Sequence, residues 1–227
     1  MDSRPLWLAW LNHSAELSII PSRRHARAEA DPDMLSHQEP PATELPSFRY
    51  HPDPVATGSL VRSKRLCLSC VRARGWVYTG PVYAVGDYRN DFCPWCIADG
   101  SAAATFGAEF TDEFDVPPGV PKSVIKELGR RTPGYTAWKQ ERWLYHCGDA
   151  CAFLGAAGRR ELARMPAEAA GALAASLRAE GVAEAEIPAF LEALDREGPA
   201  TGYVFRCLHC STHLGYCDQL GAAVSPS

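Results

Sequence analysis

The segment FCPWCIADGS, residues 92–101, places two cysteines around a proline and a tryptophan, directly before an alanine-rich run that favours a helix. A Cys-x-x-Cys pair at the start of a helix serves thiol redox chemistry when it stands alone, because the helix N-terminus lowers the thiol pKa. The same pair forms half of a zinc site when a second cysteine pair lies nearby. The other cysteines therefore decide what this segment does and what fold surrounds it.

The composition is typical of a protein whose cysteines stay reduced. Nine cysteines in 227 residues fall well below the roughly 8–10% that marks a disulfide-stapled secreted scaffold. No segment approaches the run of about 18 apolar residues that spans a bilayer. The start, MDSRPLWLAWLNHS, has no clear small-residue cleavage site of a signal peptide. We therefore expect a soluble cytoplasmic protein that makes no contact with a membrane.

Eight of the nine cysteines fall into close pairs. The pairs are Cys67-x2-Cys70, Cys93-x2-Cys96, Cys147-x3-Cys151 and Cys207-x2-Cys210, with Cys217 left over. Two or three residues between ligands let one turn present both sulfurs to a tetrahedral zinc ion, and two such turns complete its shell. The spacing predicts two zinc ions with these eight cysteines as ligands. An iron–sulfur cluster stays open as an alternative, because four thiolates suit either metal.

The chain between the first two pairs is typical of a zinc-ribbon or treble-clef module. The run GWVYTGPVYAVGDY, residues 75–88, predicts a β-hairpin broken at Gly80-Pro81. The first pair would lie on a knuckle before this hairpin, and the second pair would open the helix IADGSAAATF. Such knuckles often carry glycine after the second cysteine, because the backbone there takes a positive φ, whereas this chain has Val71.

The second set of four cysteines has a less regular spacing. On a helix, Cys147 and Cys151 would share one face, being four residues apart. Their partners follow 55 residues later in YVFRCLHCSTHLGYCDQ, where an aromatic and β-branched stretch predicts a strand. Helices are predicted over 121–129, 136–145, 166–181 and 188–198. The residues that could replace a cysteine ligand at this site are His146, His209, His213 and Cys217.

Charge is distributed unevenly along the chain. The net charge is −4, which excludes an indiscriminate polyanion binder. Residues 54–86 nevertheless contain no acid, and basic residues crowd around the first cysteine pair: Arg62, Lys64, Arg65, Arg72 and Arg74. These cations either offset a four-thiolate zinc site, whose net charge is about −2, or contact the phosphates of a nucleic acid.

Five ordered blocks together resemble the CbrC family of bacterial proteins. They are LPSFRYHPDPVATGS, YTGPVYA, CPWCIADGSAAATF, RTPGYTAWKQERWLYHCGDACAFLG and FRCLHC. The resemblance covers residues 45–220. It implies a soluble bacterial protein whose biochemical function is not established and whose name carries an association with colicin tolerance, and it assigns no catalytic residue.

The sequence thus predicts an α+β protein with two metal sites. Its expected parts are a disordered or untranslated extension over 1–44, a zinc-ribbon-like module over 45–115, a helical module with the second site over 116–220, and a tail over 221–227. We expect it to bind a protein partner through a metal-rigidified surface. Nucleic-acid binding and thiol–disulfide exchange at Cys93 and Cys96 are the alternatives. No residue is predicted to be catalytic, because four thiolates leave zinc no open position.

Overall fold

The computed structural model describes residues 44–113 and 115–218. Its strands are β1 (Leu60–Arg62), β2 (Trp76–Tyr78), β3 (Tyr145–His146), β4 (Asp149–Ala150), β5 (Ala152–Ala157), β6 (Thr201–Arg206) and β7 (His213–Asp218). Its helices are α1 (Pro94–Ala98), α2 (Ser101–Phe106), α3 (Lys122–Arg131), α4 (Arg159–Leu162), α5 (Ala167–Ala179) and α6 (Ile187–Ala193). The predictions for 1–43 and for 221–227 lie outside the described residues. Mixed helices and small antiparallel sheets confirm the α+β class.

The first sheet is a pair of short antiparallel strands that flank the first cysteine pair. Strand β1 pairs with β2, with Leu60 opposite Tyr78. The sequence predicted that β2 forms a hairpin with the segment that follows it, and this prediction is wrong. The chain after β2 instead turns around the buried Tyr78 ring. The Tyr78 hydroxyl donates a hydrogen bond to the Pro81 carbonyl at 2.8 Å and accepts one from the Gly134 N–H at 3.1 Å. The second half of the predicted hairpin makes only a bridge between Tyr83 and Glu109.

The helix predicted after Cys93 is present but divided in two. It breaks between α1 and α2, where Gly100 takes a φ of 81° and the Asp99 carboxylate accepts a hydrogen bond from the Ser101 N–H at 2.8 Å. Below α1, Phe92, Phe106 and Phe110 pack ring against ring. This aromatic core also contains Cys67, Cys93 and Cys96, and Cys70 packs against it, so the first two cysteine pairs are anchored to the core of the N-terminal half.

The largest sheet has the order β5-β6-β7, with every pair antiparallel. Side chains alternate across it. Tyr203 and Phe205 enter one core, where Tyr135 stacks on Phe153 at a centroid distance of 3.9 Å. Val204 enters a second core formed with α5 and α6. The sheet therefore lies between two apolar layers.

Helix α5 approaches this sheet closely because two glycines face it. A side-chain carbon built on Gly202 or Gly215 would lie 2.6 Å from a methyl carbon of Leu173 on α5. Larger residues at these positions would push the helix off the sheet. The glycines thus set the distance between α5 and strands β6 and β7.

The helical predictions divide into correct and incorrect ones. Those for 121–129 and 166–181 are confirmed by α3 and α5, and that for 188–198 corresponds to α6, which ends earlier, at Ala193. The helix predicted over 136–145 is absent, because this segment crosses the aromatic core as a loop that buries Trp143. Among the described residues, no helix is long and apolar enough to cross a membrane.

Candidate metal centres

The first knuckle, residues 67–72, is a turn closed by two backbone hydrogen bonds. The Val71 N–H donates to the Cys67 carbonyl at 2.7 Å, and the Cys67 N–H donates to the Arg72 carbonyl at 3.0 Å. Val71 has a φ of 55°. This turn brings Cys70 back over Cys67, so both sulfurs point toward the start of α1.

The start of α1 supplies the other two sulfurs of the first cluster, which consists of Cys67, Cys70, Cys93 and Cys96. Cys93 is the N-cap residue, and the proline that follows it begins the helix. The Cys93 N–H donates to the Cys67 sulfur at 3.3 Å. All four sulfurs lie within 4.8 Å of one another, and those of Cys70 and Cys93 are 3.9 Å apart. Tetrahedral zinc with bonds of about 2.3 Å separates its sulfur ligands by about 3.8 Å, so the geometry fits that ion.

The electrostatics of the first cluster also favour a bound cation. A hydrogen bond from Cys93 lowers the pKa of the Cys67 thiol below its ordinary value, and the same contact raises the pKa of Cys93. Three of the four sulfur-bearing residues are buried, and Cys70 is half-buried. A metal ion would replace the protons that these crowded thiols otherwise share.

The second knuckle, residues 207–212, repeats the backbone pattern of the first. The Ser211 N–H donates to the Cys207 carbonyl at 3.1 Å, and the Cys207 N–H donates to the Thr212 carbonyl at 2.8 Å. Ser211 has a φ of 62°. Two separate parts of the chain therefore form the same cysteine-bearing turn.

A tight hairpin faces the second knuckle. Strands β3 and β4 are joined by Cys147 and Gly148, whose φ values are 53° and 72°, as in a type I′ turn. Cys147 and Cys151 therefore do not share one face of a helix, the arrangement considered from their spacing. Gly148 favours this two-residue turn, because the second position of a type I′ turn takes a positive φ that glycine adopts without strain.

The second cluster consists of His146, Cys147, Cys207 and Cys210, whose ligand atoms lie within 4.8 Å of one another. The His146 Nδ1 atom is 3.2 Å from the Cys147 sulfur and 3.3 Å from the Cys210 sulfur. The two sulfurs are 3.8 Å apart. Three sulfurs and one imidazole nitrogen at these distances fit a tetrahedral zinc ion.

The second cluster differs from the predicted ligand set in one member. Cys151 is fully buried in the aromatic core, where burial raises its pKa to about 12. It is not part of the group that could hold a metal, and His146 takes its place. In the sequence, only its position next to Cys147 marked His146. It was therefore one of the four residues that could replace a cysteine ligand. Cys217, another of those substitutes, is buried in the core beside α5.

A buried carboxylate links the second cluster to the rest of the molecule. Asp149 accepts hydrogen bonds from the Tyr50 hydroxyl at 2.8 Å and from the Arg49 guanidinium at 2.6 Å, and its carboxylate lies 2.8 Å from the His209 Nε2 atom. Burial acts to raise the Asp149 pKa, but the contacts with His209 and Tyr50 outweigh burial and lower the pKa. Since His209 lies between the two cysteines of the second knuckle, Asp149 fixes that knuckle against the hairpin. Sequence reasoning missed this residue.

The two clusters differ in their access to solvent. Cys147 and Cys210 are exposed, whereas the first cluster has no exposed cysteine. The Thr212 hydroxyl lies 3.2 Å from the Cys210 sulfur and lowers the pKa of that thiol to about 6. The second cluster is therefore the one that solvent and small molecules reach directly.

The fold and these clusters define a class of protein: an α+β chain with two knuckle-built groups of cysteine and histidine that could hold metal. The chain belongs to the uncharacterised protein family UPF0167, whose family model matches residues 45–219. The matched residues include both clusters and both knuckles.

Several bacterial relatives show the same relationship. The chain is 52% identical over 176 residues to a UPF0167 protein of Mycobacterium bovis, a match that covers 77% of this chain and 94% of the relative. A UPF0167 protein of Mycobacterium tuberculosis matches to the same extent. A UPF0167 protein of Pseudomonas aeruginosa is 44% identical over 168 residues, or 73% of this chain and 92% of the relative. No solved structure matches the chain.

Proposed function

We propose that this UPF0167 protein binds two zinc ions that stabilise its fold, and that it acts as an interaction protein. The observation that carries the proposal is the repeated knuckle. Residues 67–72 and 207–212 share the same pair of backbone hydrogen bonds, and each knuckle supplies two sulfurs to a group of four donors. A turn of this kind serves to present two thiolates to one ion.

The donor sets favour zinc over an iron–sulfur cluster. Four cysteines suit either metal, so the first cluster does not discriminate. The second cluster combines three cysteines with His146, which is a common ligand set of structural zinc. We assign His146, rather than Cys151, as the fourth donor.

The burial of the first cluster supports a structural role over thiol–disulfide exchange. Cys93 is 1% exposed and Cys96 is 3% exposed. A redox-active thiol must be reached by its disulfide substrate, so such cysteines are partly exposed. A complete set of four donors likewise leaves no open coordination position for hydrolysis. Binding is therefore favoured over catalysis.

The resemblance to the CbrC family supports a bacterial protein with a connection to colicin tolerance, and the low cysteine content supports a cytoplasmic setting in which thiols stay reduced. We retain both as part of the proposal, together with the modules over 45–115 and 116–220. The partner class expected from the sequence is another protein. Nucleic acid is the second candidate, because Arg62, Lys64, Arg65, Arg72 and Arg74 surround the first knuckle.

Elemental analysis of the purified protein tests the zinc assignment. We expect two zinc ions per chain, and one after either Cys93→Ser or Cys207→Ser. Cys217→Ser is the matched control, because Cys217 is buried but belongs to neither cluster, so its loss should leave two ions. A metal-free, folded protein whose Cys93 and Cys96 form and break a disulfide reversibly would overturn the proposal in favour of an oxidoreductase.

A further inference from the structure

The first knuckle and the residue before it expose three aliphatic side chains within six residues. Leu66 is 59% exposed, Leu68 is 47% exposed and Val71 is 72% exposed. They flank Cys67 and Cys70, whose sulfurs point inward. Scattered single apolar residues on a surface are ordinary, but a group on one rigid turn indicates an interaction site. We call these three residues the apolar tip.

Positive charge surrounds the apolar tip. Arg62, Lys64, Arg65 and Arg72 are exposed and Arg74 is half-buried, and residues 54–86 contain no acid. Arg65 forms an exposed ion pair with Asp91, whose backbone carbonyl accepts a hydrogen bond from the Leu68 N–H at 2.8 Å, so one acid lies beside the tip and offsets the charge of Arg65. An apolar tip within a basic ring is complementary to a surface that is apolar inside and anionic at its boundary.

This surface is poorly suited to stacking against the bases of a nucleic acid. The exposed side chains of the tip are aliphatic, whereas single strands are held by aromatic rings on which the bases stack. The two tryptophans nearby are covered by the protein's own cations. The Arg62 guanidinium lies 4.2 Å from the Trp76 ring centroid, and that of Arg74 lies 5.0 Å from the Trp95 ring centroid.

The shape of the tip favours a bilayer over a protein partner. An exposed turn needs a complementary apolar surface to bury its side chains against another protein, whereas the fluid boundary between headgroups and acyl chains accepts any small apolar group. Aliphatic residues buried at that boundary and cations near anionic headgroups each add to binding.

We propose that the first knuckle inserts its apolar tip into the surface of an anionic bilayer while the basic residues contact lipid headgroups. This inference rests on the proposed function, because the metal at the first cluster would hold the turn rigid. The expectation of no membrane contact came from the lack of a spanning segment, and a peripheral contact needs none.

Sedimentation with vesicles tests the proposal on the full-length, zinc-loaded chain. We expect binding to vesicles of phosphatidylcholine with 30% phosphatidylglycerol, and none to pure phosphatidylcholine. Binding should weaken as salt rises, because the headgroup contacts are screened. Equal binding to both kinds of vesicle, or to neither, overturns the proposal.

Two variants, each with a matched control elsewhere on the surface, separate the contributions of the tip and of the cations from general effects of mutation on vesicle binding. Leu68→Ser with Val71→Ser should weaken vesicle binding at least tenfold, and the second change keeps the knuckle because Ser211 occupies the same position in the second knuckle. Val85→Ser is the control, since Val85 is 96% exposed on another loop. Lys64→Gln should weaken binding about fivefold, whereas Arg65 is left in place because Asp91 pairs with it. Lys122→Gln removes the same charge from α3 and should have little effect.

The remaining outcomes discriminate between proposals. Binding to a DNA oligonucleotide that the serine variants leave intact, without vesicle binding, would favour nucleic acid instead. Vesicle binding that appears only after residues 1–33 are deleted would show that this segment covers the tip, and would overturn the proposal for the intact protein. If a chain with two zinc ions binds no vesicles, the membrane proposal alone fails. If the chain holds no zinc, the proposed function fails first.

Discussion

Val71 and Ser211 occupy the same position in two knuckles that lie 140 residues apart in the sequence, each directly after the second cysteine and each with a positive φ, of 55° and 62°. Each N–H donates to the carbonyl of the first cysteine of its pair. A serine tolerates this left-handed conformation poorly and a β-branched valine tolerates it worse. The first knuckle therefore forms against the local preference of its own sequence.

Replacing that valine with glycine should stabilise the protein. The left-handed conformation costs an L-residue roughly 1–2 kcal/mol, and glycine avoids that cost but loses about 0.5–1 kcal/mol through its freedom in the unfolded chain. Val71 is 72% exposed, so little packing is lost. We expect Val71→Gly to raise the free energy of unfolding by about 0.5–1 kcal/mol in the zinc-loaded protein.

Thermal unfolding of the zinc-loaded protein measures this effect. A gain of that size corresponds to a midpoint about 1–4 °C higher in a chain of this length. Ser211→Gly is the matched control and should gain less, because serine is not β-branched. A lower midpoint for Val71→Gly would show that the valine side chain makes a stabilising contact.

The cysteine spacing was enough to predict where the two cysteine-bearing knuckles lie, because the geometry of a knuckle is local. The strands and ligands that pack against those turns could not be predicted from the spacing alone. Strand β2 pairs with the three-residue strand β1, which is too short to show any alternation. The separation of Cys147 and Cys151 suggested a helix, although Gly148 was already a turn signal. The choice between Cys151 and His146 depends on a hairpin that only the tertiary structure defines.

That choice leads to a second prediction, on the ligands of the second site. His146→Ala should reduce the zinc content from two ions to one or weaken the second ion strongly, because the Nδ1 atom lies 3.2 Å and 3.3 Å from two of the cluster sulfurs. Cys151→Ala should keep two ions and lose only packing in the aromatic core. Elemental analysis after dialysis against a weak chelator measures both. The reverse pattern would return Cys151 to the ligand set.

The third prediction concerns the carboxylate behind the second knuckle. Asp149 contacts His209, Tyr50 and Arg49, and His209 lies between the two cluster cysteines of the second knuckle, so Asp149 positions these ligands through the knuckle. Groups bonded to a metal ligand directly typically change affinity by 10–100-fold when lost, so Asp149→Ala should weaken zinc at the second site by about tenfold, the lower end of that range, and leave the first site unchanged. Competition with a chromogenic chelator measures the two affinities.

A surface carboxylate provides the control for that measurement. Glu184 forms an exposed ion pair with Arg178, far from either cluster in sequence, so Glu184→Gln should alter neither affinity. Equal weakening of both sites by Asp149→Ala would indicate a general loss of stability rather than a local role.

The fourth prediction concerns a buried histidine outside both clusters. His51 is fully buried, and its Nδ1 atom lies 2.7 Å from the Pro133 carbonyl, which can only accept, so Nδ1 carries the proton. Its Nε2 atom accepts a hydrogen bond from the Thr57 hydroxyl at 2.7 Å. Burial lowers the His51 pKa to about 4, although the contact with Pro133 and the charge of Asp53 act in the opposite direction.

The lowered pKa fixes the sign of a pH effect on stability. In the unfolded chain a histidine has a pKa of about 6.5, so its stabilising contribution is fully present above that pH. As the pH falls from about 6.5 toward 4, the unfolded chain takes up a proton that the folded chain cannot accept, and stability is lost. The shift corresponds to roughly 3 kcal/mol over the whole range, of which about 2 kcal/mol is lost by pH 5.

Urea unfolding of wild type and His51→Gln at pH 7 and pH 5, both with excess zinc, isolates this contribution. Acid also weakens zinc binding to thiolates, but that loss is common to both proteins and cancels in the comparison. The glutamine variant should be less stable at pH 7, because it fills the buried site less well. It should then lose about 2 kcal/mol less than wild type between the two pH values. Parallel losses in the two proteins would contradict the prediction, because they would mean that His51 becomes protonated within the fold.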